Sequence, residues 1–178
     1  MREHAPFDLN SRAGAIRALA LDVDGILTDG RLHIDPDGGE HKIFHSRDGH
    51  GIKILQRLGV TVAIITGRGS PAVIKRAEGL GIEHVILNCT TKGEAIEQLA
   101  TTLDVPLHEI AAMGDDVIDL PMLTRVGLAA TVTEAPAAVR ARCDWISPVP
   151  GGQGAVRELI DFIITARGDW PRVMAMHT

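Results

Sequence analysis

Short runs of β-branched and aliphatic residues alternate along the chain with longer stretches whose apolar positions recur three and four residues apart. Runs at 16–23, 60–65, 84–87 and 110–113 read as buried strands, with weaker ones at 127–130 and 144–146. Helical spacing falls at 51–58, 71–80, 92–103, 121–125, 135–141 and 155–166, where Ile96, Leu99, Ala100 and Leu103, and later Val156, Leu159, Ile160 and Ile163, line single faces. This alternation predicts an α/β fold, a three-layer sandwich around a mostly parallel sheet. One segment breaks the rhythm. Residues 30–35 and 40–45 are strand-like halves around Pro36-Asp37-Gly38-Gly39, so a β-hairpin insert is expected after the first strand, spanning about 30–45. Residues 1–12 and 168–178 carry no periodic signal and are expected to be mobile arms.

Length and composition narrow the class without naming a chemistry. A chain of 178 residues with 45% hydrophobic and 23% charged content predicts one globular domain over 1–178. No apolar run is long enough to cross a bilayer, and the opening MREHAPFDLN lacks the basic and apolar regions of a signal peptide, so a cytoplasmic location is expected. A net charge of -5, with three Phe, two Trp and no Tyr, speaks against nucleic-acid binding by base stacking. Cys89 and Cys143 are isolated, which indicates neither a disulfide framework nor a zinc site.

The chemistry sits at strand ends. The first strand closes with Leu21-Asp22-Val23-Asp24-Gly25, and an aspartate in a buried strand is costly unless it lies at the carboxyl end, where ligands bind in open α/β sheets. A later strand closes with Met113-Gly114-Asp115-Asp116, with Asp119 one turn on, a hard-oxygen set suited to Mg²⁺. Thr66 ends the middle strand in Ile65-Thr66-Gly67-Arg68, and Lys92 opens a helix, where a cation opposes the helix dipole and calls for an anion nearby. Each feature has an ordinary alternative. Asp22, Asp24 or Thr66 can cap a turn or helix, the later acids can cap the helix that starts near Asp119, and Lys92 and Arg76 can be solvated charges.

Taken in order, Asp22-Val23-Asp24-Gly25, Thr66, Lys92 and Gly114-Asp115-Asp116 resemble the four motifs of the haloacid dehalogenase superfamily. The resemblance implies a Rossmann-like three-layer sandwich and an Mg²⁺-dependent phosphatase. Asp22 would be the nucleophile and Asp24 the general acid–base, while Thr66 and Lys92 would hold phosphoryl oxygens. Mg²⁺ would lie on Asp22, the Asp24 carbonyl and Asp115, with Asp116 acting through water. A narrower likeness covers about residues 16–168. Leu21 through Gly30, Arg47-Asp48-Gly49-His50-Gly51-Ile52, Ile64 through Arg68, Gly114 through Asp119 and Gly151 through Glu158 resemble the 3-deoxy-D-manno-octulosonate 8-phosphate phosphatase family. That family is a capless branch acting in lipopolysaccharide precursor synthesis.

From that likeness His45, Ser46, Arg47, Asp48, Gly49, Lys53, Arg68 and Arg76, together with Asp24 and Lys92, are expected to meet a sugar acid phosphate. Lys53 stands where many relatives carry Arg. The hairpin and one helix use up the chain between Asp24 and Thr66, leaving no room for a cap domain. An oligomer is therefore expected, with a partner's hairpin or its Gly-rich stretch at 151–154 over each site, and the resemblance implies that it is a homotetramer.

Three other readings compete with this one. A receiver module would carry its paired acids after the first strand and its acceptor Asp after a middle strand, the reverse of the order here. A noncatalytic scaffold would not need every catalytic residue type. A phosphatase of a nine-carbon sialic-type acid phosphate would be expected to carry an acid after the Thr-Gly pair, where this chain has Arg68.

Overall fold

The computed structural model describes residues 8–177. Six strands form one sheet: β1 (Ala18–Leu21), β4 (Thr61–Ile65), β5 (His84–Ile86), β6 (Ile110–Met113), β7 (Leu128–Thr131) and β8 (Trp145–Ile146). The order is β5-β4-β1-β6-β7-β8 and every neighbouring pair is parallel. Strands β1, β6 and β7 are buried at every position, as a sheet covered on both faces requires. The Rossmann-like reading holds.

The sequence places the covering helices closely. Helix α3 (Pro71–Leu80) opens with Ser70, whose hydroxyl accepts from the Val73 amide, and Pro71 follows where its missing N–H costs nothing. Helix α4 (Lys92–Leu103) matches its periodic stretch end to end. Helix α7 (Ala155–Arg167) buries Val156, Leu159, Ile160 and Ile163 completely, each worth about 1.5–3 kcal/mol. It packs against α2 (Ser46–Arg57) and α1 (Leu9–Gly14), whereas α4 packs against the short α5 (Leu120–Leu123), and the short α6 (Ala137–Arg140) links β7 to β8.

Three expectations need correction. Helix α2 begins at Ser46, well before the predicted 51, although Gly49 and Gly51 weaken it. Both glycines are required by close neighbours: a Cβ at Gly49 would overlap the Arg76 guanidinium, and one at Gly51 would press on the Arg157 side chain. The first arm is also a helix from Leu9 onward; Ala13 is fully buried, and Arg12 reaches the Gly127 carbonyl and Asp144. Its residues 1–7 lie outside the described residues. In the second arm, α8 (Trp170–Ala175) buries Val173, and the Trp170 indole N–H donates to Thr165 at 2.9 Å.

The hairpin is present as β2 (His33–Ile34) paired antiparallel with β3 (Glu40–His41), separate from the main sheet. Its residues 31–39 are exposed. The Gly-rich stretch at 151–154 packs on its own chain. The Gly152 amide donates to the Ile26 carbonyl at 3.0 Å, and a Cβ at Gly151 would overlap the Gly25 carbonyl. Only glycine lets the two backbones come this close.

Candidate active site

Strand connections leave β1 toward β4 on one side and β6 lies on the other, so the topological switch point falls beside β1. Asp22 follows β1 directly, and Asp115 follows β6 after Gly114. Gly25 makes their convergence possible: its φ of +87° turns the chain, and any Cβ there would overlap the Asp115 carboxylate. Thr66, just past β4, is buried, and its hydroxyl oxygen accepts from the Arg68 amide at 3.3 Å.

Lys92 reaches into this point from the first turn of α4. Its side chain is only 2% exposed, yet it stays charged because it bridges two carboxylates. The ammonium lies 2.9 Å from Asp22 Oδ1 and donates to Asp119 Oδ1. Burial alone would lower its pKa, but Asp22 and Asp119 outweigh that and hold it above the ordinary lysine value. The conflict with the helix dipole is thereby resolved.

Asp119, set by the sequence one turn beyond the acid pair but given no role of its own there, is central to the site. It is fully buried, and its Oδ2 accepts from the amides of Asp115 (3.0 Å) and Asp116 (3.1 Å). It thus fixes the loop after β6 and anchors Lys92 at once. The signal was present in the sequence as Gly114-Asp115-Asp116-Val117-Ile118-Asp119, where the third acid stands one turn beyond the pair. Asp116, expected near the metal, is instead exposed and accepts from the Val117 amide at 2.7 Å, capping the short turn at 117–119.

Asp22, Asp115 and Asp119 each offer a carboxylate oxygen within 4.8 Å of the others. Two buried acids and the half-buried Asp115 crowd together, and only Asp22 and Asp119 meet an ammonium. Burial, then the charge of Asp119, pushes Asp22 up to about 6 despite Lys92. Burial, then the charges of Asp119, Asp22 and Asp116, pushes Asp115 up to about 7. Crowded hard oxygens short of positive charge are the donor set a divalent cation such as Mg²⁺ fits.

Asp24 is held separately. Its Oδ1 accepts from Lys42 at 2.5 Å, and its Oδ2 is buried with no hydrogen-bond partner among the described residues, 3.9 Å from Arg68 Nε. Lys42 also donates to Glu40 Oε1 at 2.7 Å, and Arg68 lies 3.6 Å from Glu40 Oε2. Lys42 was missed because alternation marks it only as a hairpin position. A cleft of about 350 Å³ opens nearby, lined by Gly25, Asp29, Arg31, Asp115, Glu134 and Gln153.

The remaining expected residues divide. Arg68 stands beside Asp24, whereas the half-buried His45 and Arg76 and the buried Asp48 and Gly49 belong to a separate cluster. The His45 carbonyl accepts from Arg76 at 3.2 Å, Arg76 lies over the Phe44 ring, and Gly49 fits against the Arg76 guanidinium. Asp48 is 1% exposed, and its Oδ1 accepts from the Arg157 amide at 2.8 Å, which ties α2 to the start of α7. Burial raises its pKa, and that amide bond offsets part of the rise. Ser46 and Arg47 are exposed in the first turn of α2, where Arg47 lies 4.0 Å from Glu158. Lys53 is not brought to the cluster; it lines a shallow depression with Arg57, Glu78 and Gly81.

The haloacid dehalogenase-like hydrolase family matches residues 84–159. Over 161 residues the chain is 39% identical to 3-deoxy-D-manno-octulosonate 8-phosphate phosphatase KdsC of Escherichia coli (strain K12), covering 90% of this chain and 86% of the relative. It superposes with a TM-score of 0.93 and 36% identity on the Moraxella catarrhalis 3-deoxy-D-manno-octulosonate 8-phosphate phosphatase in complex with magnesium, phosphate and KDO, covering 96% of this chain and 98% of that one. The cobalt-bound Haemophilus influenzae phosphatase matches with a TM-score of 0.88 and 37% identity, over 92% and 99% of the two chains. The chain belongs to the 3-deoxy-D-manno-octulosonate 8-phosphate phosphatase family of haloacid dehalogenase-like hydrolases.

Proposed function

We propose that this protein hydrolyses 3-deoxy-D-manno-octulosonate 8-phosphate to the free sugar acid and phosphate, in the cytoplasm, as a step of lipopolysaccharide precursor synthesis. The observation that carries the reading is the cluster at the switch point. Asp22, Asp115 and Asp119 bring carboxylate oxygens within 4.8 Å of one another, and two of them, Asp22 and Asp119, hold the buried Lys92 ammonium, in a chain whose relatives are phosphatases of this substrate.

Asp22 attacks phosphorus, the bond to the sugar oxygen breaks, and an aspartyl-phosphate forms. Asp24 gives a proton to the departing alkoxide and then takes one from the water that attacks the aspartyl-phosphate, so phosphate leaves and both side chains return to their starting states. Thr66 and Lys92 bind phosphoryl oxygens, and Lys92 offsets the charge that would repel Asp22 from a phosphate dianion. Asp22, Asp115 and the Asp24 carbonyl would hold Mg²⁺, and Asp119 keeps Asp115 and Lys92 in place. Bound there, the cation supplies charge neutralisation for the transferring phosphoryl group. Arg68 and Arg47 would read the sugar acid's carboxylate.

Specificity is tested by comparing eight- and nine-carbon acid phosphates in Mg²⁺ and in EDTA. The eight-carbon substrate is expected to show a kcat/KM at least about tenfold higher, a difference of about 1.4 kcal/mol, with no turnover in EDTA. Equal or greater activity on the nine-carbon compound would shift the assignment to sialic-type acids.

The raised carboxylates predict how metal and pH combine. Without metal, Asp22 and Asp115 hold protons at pH values where the unfolded chain has released them. The folded state therefore binds more protons between about pH 4 and about pH 7, and stability falls as pH rises through that window. Mg²⁺ at about 100 times its Kd should add about 2.7 kcal/mol near pH 8, raising Tm by about 5–10 °C. Near pH 5 protons compete and the gain should shrink. Thermal melts with EDTA and with Mg²⁺ check this; equal shifts at both pH values would contradict it.

The assembly is a homotetramer in this reading. Leu32, Ile34 and Ile43 are 45%, 62% and 68% exposed on and beside the hairpin, apolar area that a subunit contact would bury. Sedimentation of Ile34→Asp should give smaller species than the parent protein; unchanged sedimentation would remove the hairpin from the interface.

A further inference from the structure

Two catalytic carboxylates meet two lysines, and the second lysine has no role in the mechanism above. Lys92, from α4, serves Asp22. Lys42 follows β3 on a hairpin whose tip is open to solvent, yet its own side chain is 1% exposed because it turns inward onto Asp24. Burying a lysine is costly without partners, and two carboxylates supply them: Asp24 Oδ1 at 2.5 Å and Glu40 Oε1 at 2.7 Å. Glu40 is itself braced by Arg68, 3.6 Å away. The hairpin thus carries its own anchor for the ammonium, two residues earlier and so on the same face of the extended chain.

We propose that Lys42 is a positioning residue: it fixes the Asp24 carboxylate through Oδ1 so that Oδ2 faces the leaving-group oxygen. The proposal rests on the reading of Asp24 as acid–base. The two Asp24 oxygens differ as this role requires. Oδ1 is tied to Lys42, whereas Oδ2 is buried without a hydrogen-bond partner among the described residues, with Arg68 Nε 3.9 Å away. An aspartate rotates freely about two torsions unless something holds it, and a misplaced acid loses much of its effect. The hairpin, which otherwise reads as an insert, is the element that delivers this constraint.

The test uses the full chain in Mg²⁺ and measures leaving-group release in the first turnover. Two substrates are compared: 3-deoxy-D-manno-octulosonate 8-phosphate, whose alkoxide needs a proton, and p-nitrophenyl phosphate, whose phenolate does not. Lys42→Met is expected to slow the sugar phosphate by about 10- to 100-fold, with KM changed less than about threefold, and to slow the aryl phosphate less than about threefold. Lys42→Arg should recover part of the loss. Equal slowing of both substrates, or a change in KM alone, would overturn the proposal in favour of a structural or substrate-binding role. Asp24→Asn separates the layers. If it is slow on the sugar phosphate while Lys42→Met is not, only the positioning role fails; if it keeps the parent rate, the acid–base reading fails. Should Lys42→Met not fold, Glu40→Gln removes the anchor and leaves the pair, and the same leaving-group contrast of at least about threefold is expected; its absence would count against the proposal.

Discussion

Asp22→Asn is expected to abolish turnover while leaving the protein folded. An amide cannot form the aspartyl-phosphate, so kcat should fall by about 10⁴-fold or more. Folding should survive because the substitution relieves a crowded site. Asp22 is one of three acids within reach of each other, and burial with the charge of Asp119 already works against its ionised form. Lys92 keeps its bond to Asp119. Metal-free Asp22→Asn should therefore melt at the parent temperature or above it near pH 8. Turnover at the parent rate would remove Asp22 as nucleophile, and a collapse in Tm would show that its charge is needed to hold the fold.

Asp119→Ala should instead cost both stability and activity. Its carboxylate accepts from Lys92 and from the Asp115 and Asp116 amides, and it has no exposed surface. Truncation leaves an ammonium with Asp22 as its remaining acidic partner and frees two amides. Breaking a buried charge pair typically costs about 3–5 kcal/mol. In a chain of this size that lowers Tm by about 6–20 °C. Because Lys92 and the Asp115 loop lose their anchor, kcat should also drop by about 10²–10³-fold. Asp119→Asn should fall between, since its amide oxygen still accepts from backbone while its NH₂ faces the ammonium. Asp119→Ala that melts like the parent protein would show that Asp119 is not the keystone described.

The strand ends were legible because burial makes an aspartate there improbable unless it serves a purpose. Asp22 and Asp115 therefore stood out, and α4 could be bounded at both ends by its apolar spacing. Other features depend on neighbours distant in sequence. The first half of α2 carries two glycines, each costing a helix about 1 kcal/mol, and the close approach of Arg76 and Arg157 explains them. Lys42 looks like any exposed strand residue until the hairpin folds back on Asp24. The acids after β6 show the sharpest contrast. Asp115, Asp116 and Asp119 are alike in sequence, and only the local turn decides that Asp116 caps a backbone amide while Asp119 goes inside.

The central claim is that the phosphoryl group passes through Asp22. Acid quench of a single turnover on 3-deoxy-D-manno-octulosonate 8-phosphate, followed by borohydride reduction and peptide mass spectrometry, reads this directly. The expected result is homoserine at position 22, formed from its acyl phosphate and missing from the Asp22→Asn variant. Full phosphate release with no modified residue at any time point, or modification at a different aspartate, would contradict the account.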